Sequence, residues 1–237
     1  MILCLDCGNT RIKWGLHDGE RWCGGGALAT IDAAALVRYL PLGATFDRII
    51  GCNVAGAAVA AAVASALPGA AVRWNAACSE QGGVLNGYDR PAQLGADRWA
   101  ALIGARALHR GDCLVINAGT ATTVDALDAA GYFRGGLILP GLSLMRASLA
   151  QATAQLPAAR GRYSELPTNT DDAIESGIIH ATLGAIERMF RALGAVPDAR
   201  CLLSGGAAAD LATHLTLPVL AIDNLVLEGL ARLAVDV

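Results

Sequence analysis

The stretch Ile2-Leu3-Cys4-Leu5-Asp6-Cys7-Gly8-Asn9-Thr10-Arg11-Ile12-Lys13-Trp14-Gly15 decides how the rest of the chain is read. An apolar run ends in a lone carboxylate, turns at Gly-Asn, and returns as a second run that carries a lysine. Turn residues of this kind between strand-like runs predict a β-hairpin with polar groups at its mouth. Gly8 lets backbone N–H groups approach an anion, and phosphate is a frequent occupant of such nests. Asp6 then stands where a magnesium ion, or its bound water, could be held beside phosphates. The same residues also fit an ordinary N-terminal hairpin with an Asx turn.

Two features outside the turn favour the phosphate reading. Lys13 is the only lysine in a chain with seventeen arginines, and a compact ammonium is a common phosphate partner. The second feature is an internal echo. Cys113-Leu-Val-Ile-Asn117-Ala-Gly119-Thr120-Ala-Thr122-Thr123-Val-Asp125 repeats the pattern 111 residues later. Both copies run apolar strand, Asp or Asn, any residue, Gly, an amide or hydroxyl residue, then a second strand. Solenoid repeats recur every ~20–50 residues, so this longer spacing predicts two similar domains, each offering a loop to one ligand. The division is placed at residues 1–110 and 111–237.

A chain of 237 residues can bury a substantial core in one or two domains. Its net charge of −3 and scattered arginines give no nucleic-acid surface. The start of the chain shows neither a basic leader nor a cleavage signal, which predicts a cytoplasmic protein. Ala55 to Val72 is apolar but mostly alanine and interrupted by Ser65 and Pro68-Gly69, so a buried helix is expected rather than a membrane span. Seven cysteines, an odd count, suggest reduced thiols. Cys4 and Cys7 form a C-x-x-C without a second pair, and on a strand they fall on opposite faces, which argues against zinc or redox chemistry.

Strands are expected at 47–53, 71–74, 200–204 and 218–223. Helices are expected from Asp32 to Leu40 with Thr30 as cap, at 55–67, from about Asp97 to His109, from Leu142 to about Ala154, from Thr170 to Leu193, at 207–215 and at 225–233. Strands alternating with helices imply a largely parallel sheet, extended by antiparallel hairpins at the start of each half. Residues 82–99 form a loop dense in Gly, Pro, Tyr and charge. It leads into a helix whose first turn holds Asp97 and Arg98, where a carboxylate is favoured by the exposed N–H groups and the dipole. Leu156-Pro157 to Asn169-Thr170 reads as a long polar connection. Ser204-Gly205-Gly206 is a strand–glycine–helix junction that can pass a nucleotide close to backbone.

Taken in order, these residues resemble the type III pantothenate kinases of the acetate/sugar kinase–Hsp70–actin superfamily. Asp6-Cys7-Gly8-Asn9-Thr10-Arg11-Ile12-Lys13 resembles that family's first phosphate motif. Gly95-Ala96-Asp97-Arg98, with Tyr88 upstream, resembles its pantothenate motif, and Asn117-Ala-Gly119-Thr120-Ala-Thr-Thr-Val-Asp125 its second phosphate motif. Gly135-Gly136, Pro140-Gly141, Asn169-Thr170 and Ser204-Gly205-Gly206 follow in the expected order, so the likeness covers essentially the whole chain.

The resemblance implies an α/β protein of two RNase H-like (actin-like ATPase) domains with mixed sheets flanked by helices. It further implies that magnesium-ATP is held by residues 6–13 and Thr120, and that pantothenate is phosphorylated to 4′-phosphopantothenate, the first step of coenzyme A biosynthesis. Asp97 would be the general base on the substrate's primary hydroxyl. Tyr88, Gly95, Ala96, Arg98 and Thr170 would shape the pantothenate site, which a homodimer completes. In one place the chain leaves the pattern. The second phosphate motif commonly opens with an Asp that ligates a monovalent cation such as potassium or ammonium, and here that residue is Asn117, whose amide oxygen brings no charge.

The residue types agree with the chemistry. Phosphoryl transfer asks mostly for positioning and charge compensation, which Asp6 with magnesium, Lys13, the turn N–H groups and Thr120 supply. Three other readings share the scaffold. A regulatory accessory factor would need no turnover, and the intact Asp97 and complete Gly-Asn-Thr-x-x-Lys turn argue against it. An Hsp70-like switch would need a large appended domain. A sugar or acid kinase is the nearest enzymatic alternative, against which Gly-Ala-Asp-Arg speaks.

Overall fold

The first strand, β1 (Ile2–Cys7), and β2 (Arg11–His17) form the expected hairpin, and β3 (Trp22–Ala29) adds a third antiparallel strand. The computed structural model describes residues 1–67, 69, 71–152, 161–194 and 196–235. Thr30–Tyr39 is a 3₁₀ helix with non-helical angles at Asp32, not the α-helix capped by Thr30 that the sequence predicts. The hydroxyl is drawn elsewhere, because Thr30 Oγ1 donates to the Gly8 carbonyl at 2.7 Å. Next come β4 (Arg48–Asn53), α1 (Ala57–Ala66) and β5 (Val72–Trp74), close to their expected positions. The polar loop holds two short strands, β6 (Glu80–Gln81) and β7 (Val84–Asn86), and a single 3₁₀ turn at Pro91–Gln93, before α2 (Ala96–Leu108).

The second half repeats this plan. β8 (Cys113–Ala118), β9 (Ala121–Leu127) and β10 (Tyr132–Pro140) lead into α3 (Leu142–Ala152). The expected end of α3 near Ala154 and the start of the polar connection, residues 156–160, lie outside the described residues. α4 (Thr170–Leu193) starts where its carboxylates predict, with the Asn169 side chain accepting from the Asp172 N–H at 3.0 Å. β11 (Arg200–Ser204) is followed by α5, which is confined to Ala208–Ala212 instead of running to 215. Thr213 Oγ1 bonds back to the Asp210 carbonyl at 2.9 Å, a local bond that competes with further helix. β12 (Val219–Ala221) and α6 (Leu225–Val235) complete the chain. Among the described residues no helix is long and apolar enough to cross a membrane.

The chain clusters into two compact units. The first comprises Met1–Arg110, Ala130–Phe133 and Asn224–Val237, and the second Gly111–Ala129 and Arg134–Asp223. The first unit thus takes in α6 and the start of β10 as well as the chain up to Arg110. The first unit's sheet runs β3-β2-β1-β4-β5, and in the second unit the order β10-β9-β8-β11-β12 repeats it strand for strand. β4 and β5 follow β1 in parallel, as β11 and β12 follow β8. The internal echo in sequence is therefore a duplicated sheet. All seven cysteines are free thiols.

In the first unit the strand pleat sorts residues between two helical layers. Leu3, Leu5, Cys7, Ile12, Trp14 and Leu16 share a core with Leu36, Leu40, Val63 and Leu67 of the 3₁₀ helix and the α1 region. Full burial of each large apolar side chain contributes about 1.5–3 kcal/mol. Alternation sends Cys4, Asp6 and Lys13 to the other face, toward α2 and α6. Cys4 and Cys7 are thus back to back, as the sequence predicts. Burial, and secondarily Glu228 of α6, push the Cys4 thiol up to about 12. On that face α6 braces α2 closely: a Cβ on Gly229 would lie 1.8 Å from the Ala100 carbonyl oxygen, and one on Gly104 2.4 Å from that of Leu225.

Candidate active site

Cross-strand register places Asp6 directly opposite Lys13 at the mouth of the first hairpin. Partners opposite one another share a face of the sheet, so carboxylate and ammonium emerge together beside the start of α2. Asp6 is only 8% exposed. Burial is the main cause that raises its carboxyl from 3.8 to about 6; Lys13 opposes this and the charge of Asp97 adds to it. Asp97 on α2 and the hairpin pair therefore lie in one electrostatic neighbourhood. Cys52, opposite Asp6 on the parallel strand β4, directs its thiol at Asp6 Oδ1 with Sγ at 3.6 Å.

The turn itself is fixed by its carbonyls. Gly8 N–H donates to the Arg11 carbonyl at 3.1 Å. Thr30 takes two more acceptors, its hydroxyl bonding the Gly8 carbonyl and its N–H the Thr10 carbonyl at 3.1 Å. Beyond these bonds the tip of the turn, Asn9 and Thr10, is exposed. The side chains of Cys7 and Ile12 sit in the core, so only their backbone can serve a ligand.

Gly95 precedes α2, and a Cβ there would stand 2.7 Å from Asp97 Oδ1. Glycine thus leaves room for the Asp97 carboxylate to fold back, where Oδ1 accepts the Arg98 N–H at 2.8 Å. Ala96 is the first helical residue. The Arg98 side chain is 5% exposed. Its Nη1 donates to the Tyr88 hydroxyl at 2.8 Å, and its guanidinium carbon lies 5.6 Å from the Tyr88 ring centre and 5.8 Å from that of Phe133. The two rings are 5.3 Å apart. Gly87 allows this approach, since a Cβ there would meet the Phe133 carbonyl at 2.0 Å. The sequence reading missed Phe133, Thr30 and Cys52. Only the pairing of β7 with β10, which sets Phe133 beside Asn86, brings that ring to Arg98.

In the second unit Asn117 faces Thr123 across its hairpin, a neutral pair where the first hairpin has Asp6 and Lys13. The turn is one residue shorter, with Gly119 N–H donating to the Ala121 carbonyl at 3.1 Å. Two glycines the sequence singled out press on this turn. A Cβ on Gly141 would fall 2.1 Å from the Gly119 carbonyl, and one on Gly205, at φ +107°, 2.5 Å from that of Ala118. Gly141 N–H donates to the Thr120 carbonyl at 2.9 Å. Thr120 is exposed at the tip, and Thr170 is exposed in the first turn of α4. Asp125, buried, lies on the same face of β9 as Thr123.

A family model for type III pantothenate kinase matches residues 2–192. The chain belongs to the type III pantothenate kinase family. Among curated members, the type III pantothenate kinase of Aromatoleum aromaticum is 59% identical over 236 residues, covering 99% of this chain and 98% of its own. That of Dechloromonas aromatica is 48% identical, with 99% of each covered. Solved structures show the same fold at low identity. A Campylobacter jejuni protein of the Baf transcriptional-activator family superposes with TM-score 0.68 at 18% identity, covering 99% of this chain and 98% of its own. The ethanolamine utilization protein EutJ of Carboxydothermus hydrogenoformans gives 0.59 at 15%, covering 98% and 88%. The architecture of this pantothenate kinase family member is the mixed-sheet α/β type, two sheets flanked by helices, that the family resemblance implies.

Proposed function

We propose that this chain transfers the γ-phosphoryl group of ATP to the primary hydroxyl of pantothenate, giving 4′-phosphopantothenate. Membership of the family supports this reading. The observation that carries it is the shared neighbourhood of Asp6, Lys13 and Asp97, two carboxylates and one ammonium at a glycine turn. In the proposed reaction Asp97 accepts the hydroxyl proton and the substrate oxygen bonds to the γ-phosphorus. The bond to the β–γ bridging oxygen breaks, and ADP leaves with its electron pair. Lys13 and the Asn9-Thr10-Arg11 tip of the turn, which Gly8 shapes, hold phosphate oxygens, and Thr120 contributes a hydroxyl from the second hairpin. Tyr88, Gly95, Ala96, Arg98 and Thr170 form the pantothenate site. Arg98, stiffened by the Tyr88 hydroxyl and two rings, presents a pre-set guanidinium to the polar groups of that substrate.

The donor set suits magnesium. One buried carboxylate, Asp6, is what a small cation needs when it keeps several waters and arrives on phosphates. Bound there, magnesium would neutralise charge developing on the phosphoryl oxygens. Asn117 offers only a dipole at the expected potassium or ammonium position, so we assign charge compensation mainly to Lys13 and magnesium, with weak dependence on a monovalent cation. An amide can also donate directly to a phosphate oxygen. A cytoplasmic homodimer completes the proposal. Exposed Tyr132, Leu137 and Ile138 of β10 and Leu144 of α3 are apolar surface that a second copy would cover.

The test is formation of 4′-phosphopantothenate by the purified protein with ATP, beside a panel of sugars and acids, together with light scattering. No product over a wide range of ATP and cation would overturn the catalytic reading. An active monomer would overturn the dimer.

A further inference from the structure

We infer that Cys52 is a positioning residue for Asp6: its buried thiol holds Oδ1 and leaves Oδ2 for the magnesium ion that would arrive with the ATP phosphates. The inference rests on the assignment of Asp6 to magnesium-ATP made above. Cys52 is fully buried at the end of β4, and parallel register sets it opposite Asp6 on the same face. Its Sγ lies 3.6 Å from Oδ1, within the reach of a hydrogen bond to sulfur. Cys52 is a free thiol facing a carboxylate oxygen that can only accept, so the S–H is the donor.

The carboxylate needs such a partner. The χ2 torsion of Asp is broad and roughly two-fold, so backbone placement alone does not fix which oxygen points where. A donor in a low-dielectric site, bonding to a charged acceptor, sets that torsion more firmly than the same thiol would in water. Lys13 acts on Asp6 from the neighbouring strand on the other side, since β1 lies between β2 and β4. The carboxylate is therefore set from both flanks, by a charge at Lys13 and by a directional bond at Cys52.

The plain alternative is that Cys52 is a small apolar side chain filling a gap, as buried cysteines commonly do. The two roles separate by substitution. Cys52→Ser keeps a donor and sacrifices volume, whereas Cys52→Val keeps volume and removes the donor. If the thiol positions Asp6, Cys52→Val should raise KM for magnesium-ATP or lower kcat by about 10-fold, the worth of one hydrogen bond to a charged group. Cys52→Ser should stay within about 3-fold of the parent under the same reasoning. A packing role predicts the reverse order.

A second readout needs no turnover. Cys23 also donates to a carboxylate, Asp18, at 3.4 Å, so in the infrared spectrum of the nucleotide-free protein carrying Cys23→Ser the Cys52 S–H stretching band should lie below those of the other thiols. It should disappear in Cys52→Ser and move up in Asp6→Asn, where the acceptor is no longer charged. Absence of that band, or Cys52→Val as active as the parent, overturns the inference. Asp6→Asn assayed beside these variants distinguishes the failures. If it leaves KM for magnesium-ATP and kcat unchanged while the band still shifts, the bond exists but the assignment of Asp6 fails, and the positioning role falls with it.

Discussion

Gly229→Ala should destabilise the protein, against the direction that helix propensity gives. In a helix interior glycine is about 1 kcal/mol less favourable than alanine, so propensity alone makes the change stabilising. At Gly229 the added carbon would stand 1.8 Å from the Ala100 carbonyl oxygen and 3.0 Å from the Gly104 nitrogen. Both are backbone atoms, so no side chain can swing away. Non-bonded atoms rest at about 3.5 Å, so α2 and α6 must separate by roughly 1.5 Å. Overpacking costs about 1–3 kcal/mol, and a backbone clash belongs at or above the upper end. Set against the propensity gain, the net loss is about 2 kcal/mol or more. For a chain of this size that lowers the thermal midpoint by about 4–8 °C.

Controls for this prediction lie in α4. Gly177 and Gly184 have nothing within 4 Å of a built Cβ, and both are exposed. Gly177→Ala and Gly184→Ala should each raise the midpoint by about 2–4 °C. Circular dichroism melts and urea titrations measure all three. Because α2 opens with Asp97 and Arg98, Gly229→Ala should also reduce kcat in the fraction that remains folded. If Gly229→Ala behaves like the controls, the close approach of α2 and α6 is refuted, and with it the bracing of Asp97.

Asp97→Asn should leave the fold and nucleotide binding intact and lower kcat by roughly 10²-fold or more if it is the general base; a near-normal kcat removes it from the mechanism. Asp6→Asn should trade stability against function. Burial raises the Asp6 carboxyl from 3.8 to about 6, so its contribution to stability is most favourable below pH 3.8 and is lost as pH rises through about 6. Removing the charge should therefore stabilise the nucleotide-free protein near neutral pH, by roughly 3 kcal/mol at most. The effect should vanish below pH 3.8, and turnover with magnesium-ATP should be lost; an unchanged melt across this range refutes the argument. Activity with sodium, or with no added monovalent ion, should be a sizeable fraction of that with potassium, and Asn117→Asp should increase the dependence. A steep, saturable potassium requirement in the parent would show that Asn117 and its neighbours build a cation site after all.

The readable part of the sequence was local. Asp6-Cys7-Gly8-Asn9 specifies a turn because turn geometry is set by the residues that make it, and the period-2 pattern puts Cys4 and Cys7 on opposite faces without reference to the rest of the chain. The echo at Asn117 announced the duplicated sheet, and Asn169 with Asp171 and Asp172 announced α4. What sequence could not supply was any partner chosen across distance. Thr30 has the residue type of a helix cap, yet the Gly8 carbonyl offered by the neighbouring turn takes its hydroxyl. Phe133 reaches Arg98 only through β10 pairing with β7, and Cys52 reaches Asp6 only because β4 enters the sheet beside β1. The last helix follows a second-unit strand in sequence, yet Gly229 and Gly104 let it lie against α2 in the first unit. In each case the decision belongs to packing, where burial of surface and satisfaction of polar groups are settled by whichever element arrives next to them in space.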